Sequence, residues 1–231
     1  MSEYITVATP DGSFQAYVAR PDTLPAPVVV VIQEIFGVNL DLRDTCDTLA
    51  VQGYLAISPD LFWRLEAGVD MSDQTEAEWK KAFALYTAFD RDTGVADIAA
   101  TMAAARALPG ANGRVGIMGF CLGGLLTYLA TARVGFDASV VYYGGGIEQH
   151  LDEAEQIRTP LMMHLGEDDE YIPKPAQTAI IDALADNPLA HVFTYPLCKH
   201  AFARHRGMHY NAAAAALANG RSAEFFERHL K

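Results

Sequence analysis

The chain has 231 residues, 51% of them hydrophobic and 20% charged, with a formal net charge of −12. That balance suits one ordinary domain with a large core and excludes an extended disordered chain. The acidic excess argues against a phosphate-binding surface for nucleic acid, and no apolar run approaches membrane-spanning length. Three cysteines, an odd number without disulfide-framework spacing, fit a reducing compartment. The N-terminus Met1-Ser2-Glu3-Tyr4 lacks the basic patch and apolar core of a secretory signal, so a cytoplasmic location is expected.

In chain order, Tyr4 to Val7, the turn Asp11-Gly12 and Phe14 to Val18 alternate and reverse like an antiparallel hairpin. Val28 to Ile32 is a β-branched run typical of a parallel strand covered on both faces, and Leu55 to Ser58 reads as the next strand. Between them Leu40 to Gln52 predicts a helix closed by Gly53, a good left-handed cap. Trp79, Phe83 and Tyr86 then recur at helical spacing, a stripe that either packs on the core or lines a pocket. Further strands are predicted at Val115 to Met118, Ala138 to Tyr143, Leu161 to Leu165 and His191 to Tyr195. Helices are predicted at Val95 to Leu108, Ala176 to Ala185 and Arg221 to His229. This βαβ rhythm predicts an α/β fold, a mostly parallel central sheet with helices on both faces, opened by the antiparallel hairpin. No repeat or linker divides the chain, so residues 1–231 read as one domain.

The most informative stretch is Gly119-Phe120-Cys121-Leu122-Gly123-Gly124, set between a short buried strand and the apolar helix beginning at Leu125. A G-x-[S/C]-x-G turn at such a junction holds its central residue strained, with the side chain exposed at the top of the sheet. There a thiol meets the N–H groups and positive end of a helix, which favour a thiolate and a developing oxyanion; Leu122 N–H would be one donor. Chance alone yields about 0.05 such patterns in a chain of this composition, so the turn is informative but leaves open a buried structural cysteine.

A nucleophilic thiol needs a base and an acid to orient it, expected in loops after later strands. After Leu161 to Leu165 comes Gly166-Glu167-Asp168-Asp169-Glu170-Tyr171-Ile172-Pro173, and after His191 to Tyr195 comes Leu197-Cys198-Lys199-His200-Ala201-Phe202. The order nucleophile, acid, histidine is that of α/β-hydrolases. The pattern G-x-x-D-x-x-[V/I]-P falls on Gly166, Asp169, Ile172 and Pro173, which selects Asp169 over Asp168. At the end of the first parallel strand Gln33-Glu34-Ile35-Phe36-Gly37 places a carboxylate that is either solvated or near the nucleophile.

Together, Gln33 to Asn39, the Gly119 to Gly124 elbow, Gly166 to Pro173 and His200-Ala201-Phe202-Ala203-Arg204 resemble the dienelactone hydrolase (carboxymethylenebutenolidase) family over nearly the whole chain. The resemblance implies a cysteine hydrolase of the α/β-hydrolase fold that opens a carboxylate-bearing unsaturated lactone through an acyl-cysteine. It implies Cys121, His200 and Asp169 as triad and no metal or organic cofactor. By the same carry-over Glu34 restrains the resting thiol, the N–H groups of Ile35 and Leu122 form the oxyanion hole, and Arg204 binds the substrate carboxylate. A member of the family has a second arginine in the helix before the elbow, and alignment on the Ala-Phe-Asp ending at Asp90 puts Trp79 there; Lys80 or Lys81 would supply a cation from beside it, less directionally than a bidentate arginine.

Two rival readings follow from the same residues. One is a general cysteine esterase or thioesterase with a pocket reshaped around Trp79. The other is a non-catalytic thiol redox sensor in which Cys198 resolves oxidised Cys121, which leaves Asp169 and His200 without a role. His205 and His209 stand at i, i+4 spacing without an obvious third metal ligand, and Arg204 with Arg206 forms a small basic patch in an acidic chain. The expected partner is a small lactone or ester, with neither nucleic acid nor membrane, and the chain is expected to act as a monomer.

Overall fold

The protein is described from a computed structural model covering residues 2–231. Its chain clusters into two compact units, Met1–Ile117 and Met118–Lys231. The first unit begins with β1 (Ser2–Thr9) and β2 (Gly12–Ala19), paired antiparallel from Ser2 opposite Ala19 to Thr9 opposite Gly12. β2 pairs antiparallel with β4 (Leu55–Pro59), which runs parallel to β3 (Ala26–Ile32). All seven residues of β3 are buried, as its unbroken β-branched run requires.

Local sequence explains the helices between these strands. α1 (Leu40–Val51) starts where the Asn39 side chain accepts the Leu42 N–H at 3.1 Å, and Gly53 beyond its end has φ +91°. α2 (Glu76–Ala88) opens on a capping box: Thr75 Oγ1 accepts the Glu78 N–H, and the Glu78 carboxylate reaches back to Thr75 and Ser72. α3 (Arg91–Ala107) is capped by Asp90 on the Thr93 N–H at 2.7 Å. Buried Asp97 on α3 accepts from Trp63 Nε1 at 2.9 Å and from Arg64, which also pairs with Asp11 in the hairpin turn.

β5 (Ala111–Phe120) runs across the division between the units. In the second unit it leads into α4 (Leu122–Arg133), then β6 (Ala138–Tyr142), β7 (Leu161–Gly166), α5 (Lys174–Leu184), β8 (Ala190–Tyr195) and α6 (Ala212–Leu230). β6, β7 and β8 pair parallel in that order, with Tyr142 opposite His164 and Gly166 opposite Tyr195. Every residue of β6 and β7 is buried. The mostly parallel strands, intervening helices and N-terminal hairpin agree with the expected α/β architecture.

Two expectations change. The last helix begins at Ala212, nine residues before the predicted Arg221, because Asn211 caps the Ala214 N–H and the alanine run that follows has the highest helix propensity. Asn219 and Gly220 lower helix propensity, but their cost is carried by a helix whose buried face includes Ala215, Ala218, Phe225 and Phe226. The Trp79 stripe is not core: only Ala82 of α2 is buried, while Phe83 is exposed and Trp79 half-buried. No helix among the described residues is long and apolar enough to cross a membrane.

Candidate active site

The elbow forms as its glycines demand. Cys121 stands between β5 and α4 with φ +54° and ψ −116°, a conformation costly for a residue with a Cβ and held here by its surroundings. Its N–H bonds to Tyr142 O at 3.1 Å, and its carbonyl accepts the N–H groups of Gly124 and Leu125 at 2.9 and 3.1 Å, starting the helix. A Cβ on Gly119 would lie 2.1 Å from Gly123 O, and one on Gly124 would lie 2.6 Å from Tyr142 O. The turn is therefore crowded by backbone on both sides, while Cys121 itself keeps a partly exposed side chain. Leu122 occupies the first turn of α4, where N–H groups have no partner within the helix.

The acid and histidine come from the loops after β7 and β8. Asp169 is buried; its Oδ1 accepts the N–H groups of Tyr171 (2.8 Å) and Ile172 (3.2 Å), which leaves Oδ2 to accept from His200 Nδ1 at 2.8 Å. Asp168, beside it, is exposed. His200 is itself buried, and the edges of the Tyr143 and Tyr171 rings pack on it with centroids 5.2 and 4.9 Å away. Sequence reasoning missed these two tyrosines. Tyr143 comes directly after β6 and Tyr171 two residues after Asp169, and that nearness was the available signal.

Burial alone would push the His200 imidazole below its usual range. Negative charge at Cys121, the Asp169 hydrogen bond and a Cys121 interaction overcome that and raise it to about 10. His200 Nε2 is buried and makes no hydrogen bond of ordinary geometry, and negative charge at Cys121 is the largest influence raising the ring. Tyr171 senses the same neighbourhood: burial first, then Glu170, Cys121 and Asp169, push its hydroxyl up.

Arg204 is half-buried in the turn after His200, with its N–H bonded to Ala201 O at 3.0 Å and its carbonyl accepting from Gly207 at 2.9 Å; Arg206 is exposed. Residues 205–209 are turns, so the i, i+4 spacing of His205 and His209 does not put them on one helix face. His209 Nδ1 lies 3.2 Å from His200 O, and His205 packs edge-on against Tyr210. No group of three potential metal ligands occurs among the described residues. Cys198 is buried, and burial, then Asp168 and Glu167, raise its thiol.

The first unit holds Glu34, Ile35, Trp79, Lys80 and Lys81. Glu34 and Ile35 are buried just beyond β3, in a segment pinned to residues 69–71. Met71 N–H donates to Phe36 O at 3.0 Å, Asn39 Nδ2 to Met71 O at 2.9 Å, and Gly37 bridges Asp70. Gly37 has φ +78°, and a Cβ there would lie 1.9 Å from Val69 O, so only glycine permits the clamp. Trp79 donates from Nε1 to Asp73 O at 2.9 Å, meets Phe36 edge-on and stacks on Phe83. Lys81 pairs with Glu66 at 2.6 Å on the surface, and Lys80 is exposed. A cavity of about 420 Å³ in this unit, bordered by Phe14, Tyr17, Arg43 and Trp63, includes none of these expected site residues.

A strand, a strained turn at Cys121 and a helix, followed in order by the Asp169 loop and the His200 loop, follow the pattern of the α/β-hydrolase fold. The sequence model of the dienelactone hydrolase family matches residues 14–230, and the chain belongs to that family. It is accordingly a hydrolase of ester or lactone bonds. It is 45% identical over 234 residues to a "Putative carboxymethylenebutenolidase" of Azospirillum brasilense, covering 100% of both chains. It is 41% identical over 226 residues to the carboxymethylenebutenolidase of Pseudomonas putida, covering 97% of this chain and 96% of that one. A crystal structure of a "Putative Dienelactone Hydrolase" from Klebsiella pneumoniae superposes with a TM-score of 0.87 at 28% identity, covering 99% and 98% of the two chains.

Proposed function

We propose that the protein is a cysteine hydrolase that opens a carboxylate-bearing unsaturated lactone through an acyl-cysteine. The observation that carries this reading is the Cys121 thiol at the strained head of α4 within the electrostatic reach of a histidine that Asp169 holds by Nδ1. The relatives' name, carboxymethylenebutenolidase, supports the substrate class. The continuous family match over residues 14–230 supports one α/β-hydrolase domain.

In the proposed cycle His200 holds the proton of the Cys121 thiol, and the sulfur attacks the lactone carbonyl. The N–H groups of Leu122 and Ile35 hold the resulting oxyanion. The ring C–O bond then breaks, leaving an acyl-thioester and an enolate or alkoxide oxygen that takes the proton from His200. Water, deprotonated by His200, attacks the thioester; the C–S bond breaks and the thiol is restored. Asp169 stays ionised and orients the imidazole. Glu34 restrains the Cys121 side chain until substrate arrives. Arg204 binds the substrate carboxylate, with Trp79 and either Lys80 or Lys81 beside it. The protein acts as a cytoplasmic monomer without a cofactor.

A buried Cys198 with a raised thiol disfavours the redox-sensor reading, because a resolving cysteine needs thiolate character and access. Substrate profiling of wild type beside Cys121→Ala tests the function. Loss of lactone turnover with preference for anionic lactones is expected. Faster turnover of neutral aryl esters than of any anionic lactone would establish a general esterase, and wild-type rates in Cys121→Ala would remove the cysteine mechanism.

A further inference from the structure

Beneath the proposed triad lies a chain of buried polar side chains that the cycle does not use. His164, on β7, is fully buried, with Nδ1 2.8 Å from Tyr195 Oη and Nε2 3.0 Å from Ser222 Oγ. Arg221 Nη1 donates to the same Tyr195 hydroxyl at 3.1 Å, and its guanidinium lies over the Phe193 ring at 4.1 Å. Ser222 Oγ donates to Ala218 O at 3.0 Å and lies 2.7 Å from Tyr142 Oη, which also reaches Asn219 at 2.9 Å. Four elements thus meet at one imidazole: β6 through Tyr142, β7 through His164, β8 through Tyr195 and α6 through Ser222.

The donors determine the proton order. Arg221 can only donate, so the Tyr195 oxygen accepts from it and sends its own hydrogen to His164 Nδ1. Ser222 spends its hydrogen on the Ala218 carbonyl, so it accepts from His164 Nε2–H. His164 is therefore the neutral Nε2–H tautomer. The reverse tautomer would leave a buried Tyr195 O–H without an acceptor, a costly defect. Burial, and then the positive charge of Arg221, hold His164 down to about 3, in agreement with the neutral ring.

The backbone links this network to the chemistry. The carbonyl of His164 accepts the Tyr143 N–H at 2.8 Å, and the carbonyl of Tyr142 accepts the Cys121 N–H at 3.1 Å. Tyr142 is held at its hydroxyl by the network and at its carbonyl by Cys121. Tyr143, with φ +39°, packs its ring on His200. One pair of adjacent residues therefore supports both the strained nucleophile turn and the base.

We propose that His164 is a positioning residue: through Tyr142 and Tyr143 its network sets the relative placement of Cys121 and His200. The inference rests on the reading of Cys121 and His200 as nucleophile and base. Small displacements of reacting groups cost rate far more than they cost binding.

The test uses Tyr195→Phe and Ser222→Ala, which remove one hydroxyl each, alongside His164→Phe and Cys121→Ala. For each variant kcat and KM are measured on an unsaturated lactone, with the rate of Cys121 alkylation by iodoacetamide and the unfolding temperature. The expected result is a roughly tenfold lower kcat with KM within about twofold, slower alkylation, and a double variant Tyr195→Phe/Ser222→Ala no worse than the poorer single one. Wild-type kcat and alkylation rate in both hydroxyl variants, whatever their unfolding temperature, would overturn the positioning role and leave a structural one. Those variants contain Cys121, so activity that persists in Cys121→Ala would instead show that the underlying triad reading fails.

Discussion

His200 Nδ1 lies 2.8 Å from Asp169 Oδ2, and the other Asp169 oxygen is taken by the N–H groups of Tyr171 and Ile172. The carboxylate is thus fixed in rotation by its own loop. In Asp169→Asn the backbone N–H groups would retain the amide oxygen at the Oδ1 position, turning the NH₂ toward His200 Nδ1. That forces the tautomer with Nε2–H, which cannot take a proton from the nucleophile. The expected result is a fall in kcat of roughly 10³- to 10⁴-fold, with a native circular dichroism spectrum.

The raised His200 imidazole makes stability depend on pH. Its folded value of about 10 exceeds the ordinary 6.5, so the folded state holds a proton that the unfolded state releases between them. The contribution is full below about pH 6.5 and is lost as pH rises through about 10. Urea midpoints measured from pH 6 to pH 10.5 are expected to fall across that window in the wild type. The slope is expected to be shallower in Cys121→Ala, which removes the largest influence raising His200.

Strain at the elbow is separable from chemistry. At φ +54° and ψ −116° glycine is the natural residue, so Cys121→Gly is expected to be more stable than Cys121→Ala by about 1 kcal/mol. This reverses the usual penalty for glycine. Both variants are expected to be inactive, and denaturant unfolding of the pair checks the order.

The proposed function assigns the substrate carboxylate to Arg204. Arg204→Ala is expected to raise KM for a carboxylated lactone by roughly 10- to 100-fold, the equivalent of one charge-assisted contact. A neutral aryl ester is expected to be little affected. Steady-state kinetics on the two substrates provide the comparison.

Within the first unit, Arg64→Ala would leave the buried Asp97 carboxylate with the Trp63 N–H and would detach the hairpin turn at Asp11. Arg64 is partly exposed, so the expected loss, about 2 kcal/mol, is below that of a fully buried pair. Thermal unfolding measures it, with kcat near wild type.

Much of this architecture is legible in one dimension because its causes are local. The β-branched run of β3, the cap at Asn39, the capping box at Thr75 and the glycines around Cys121 each act within a few residues of themselves. The order Cys121, Asp169, His200 could be read because each stands in the loop or turn that follows a strand signal. The start of α6 was harder to read. There an alanine run without apolar periodicity precedes Asn219-Gly220, and its helical state depends on burying Ala215 and Ala218.

Residue identity and spacing by themselves nominated Cys121, Asp169 and His200, since a strand-turn-helix motif and the loops after later strands have their own local grammar. Folding alone decided what surrounds them. Which Asp169 oxygen faces His200 depends on two backbone N–H groups. The place of Tyr143 and Tyr171 on the imidazole, and the meeting of His164, Tyr195, Ser222 and Tyr142, depend on strands distant in sequence lying side by side. Such contacts leave no periodic trace, because what they require is proximity in space and completed hydrogen bonds, and many residue types can supply either.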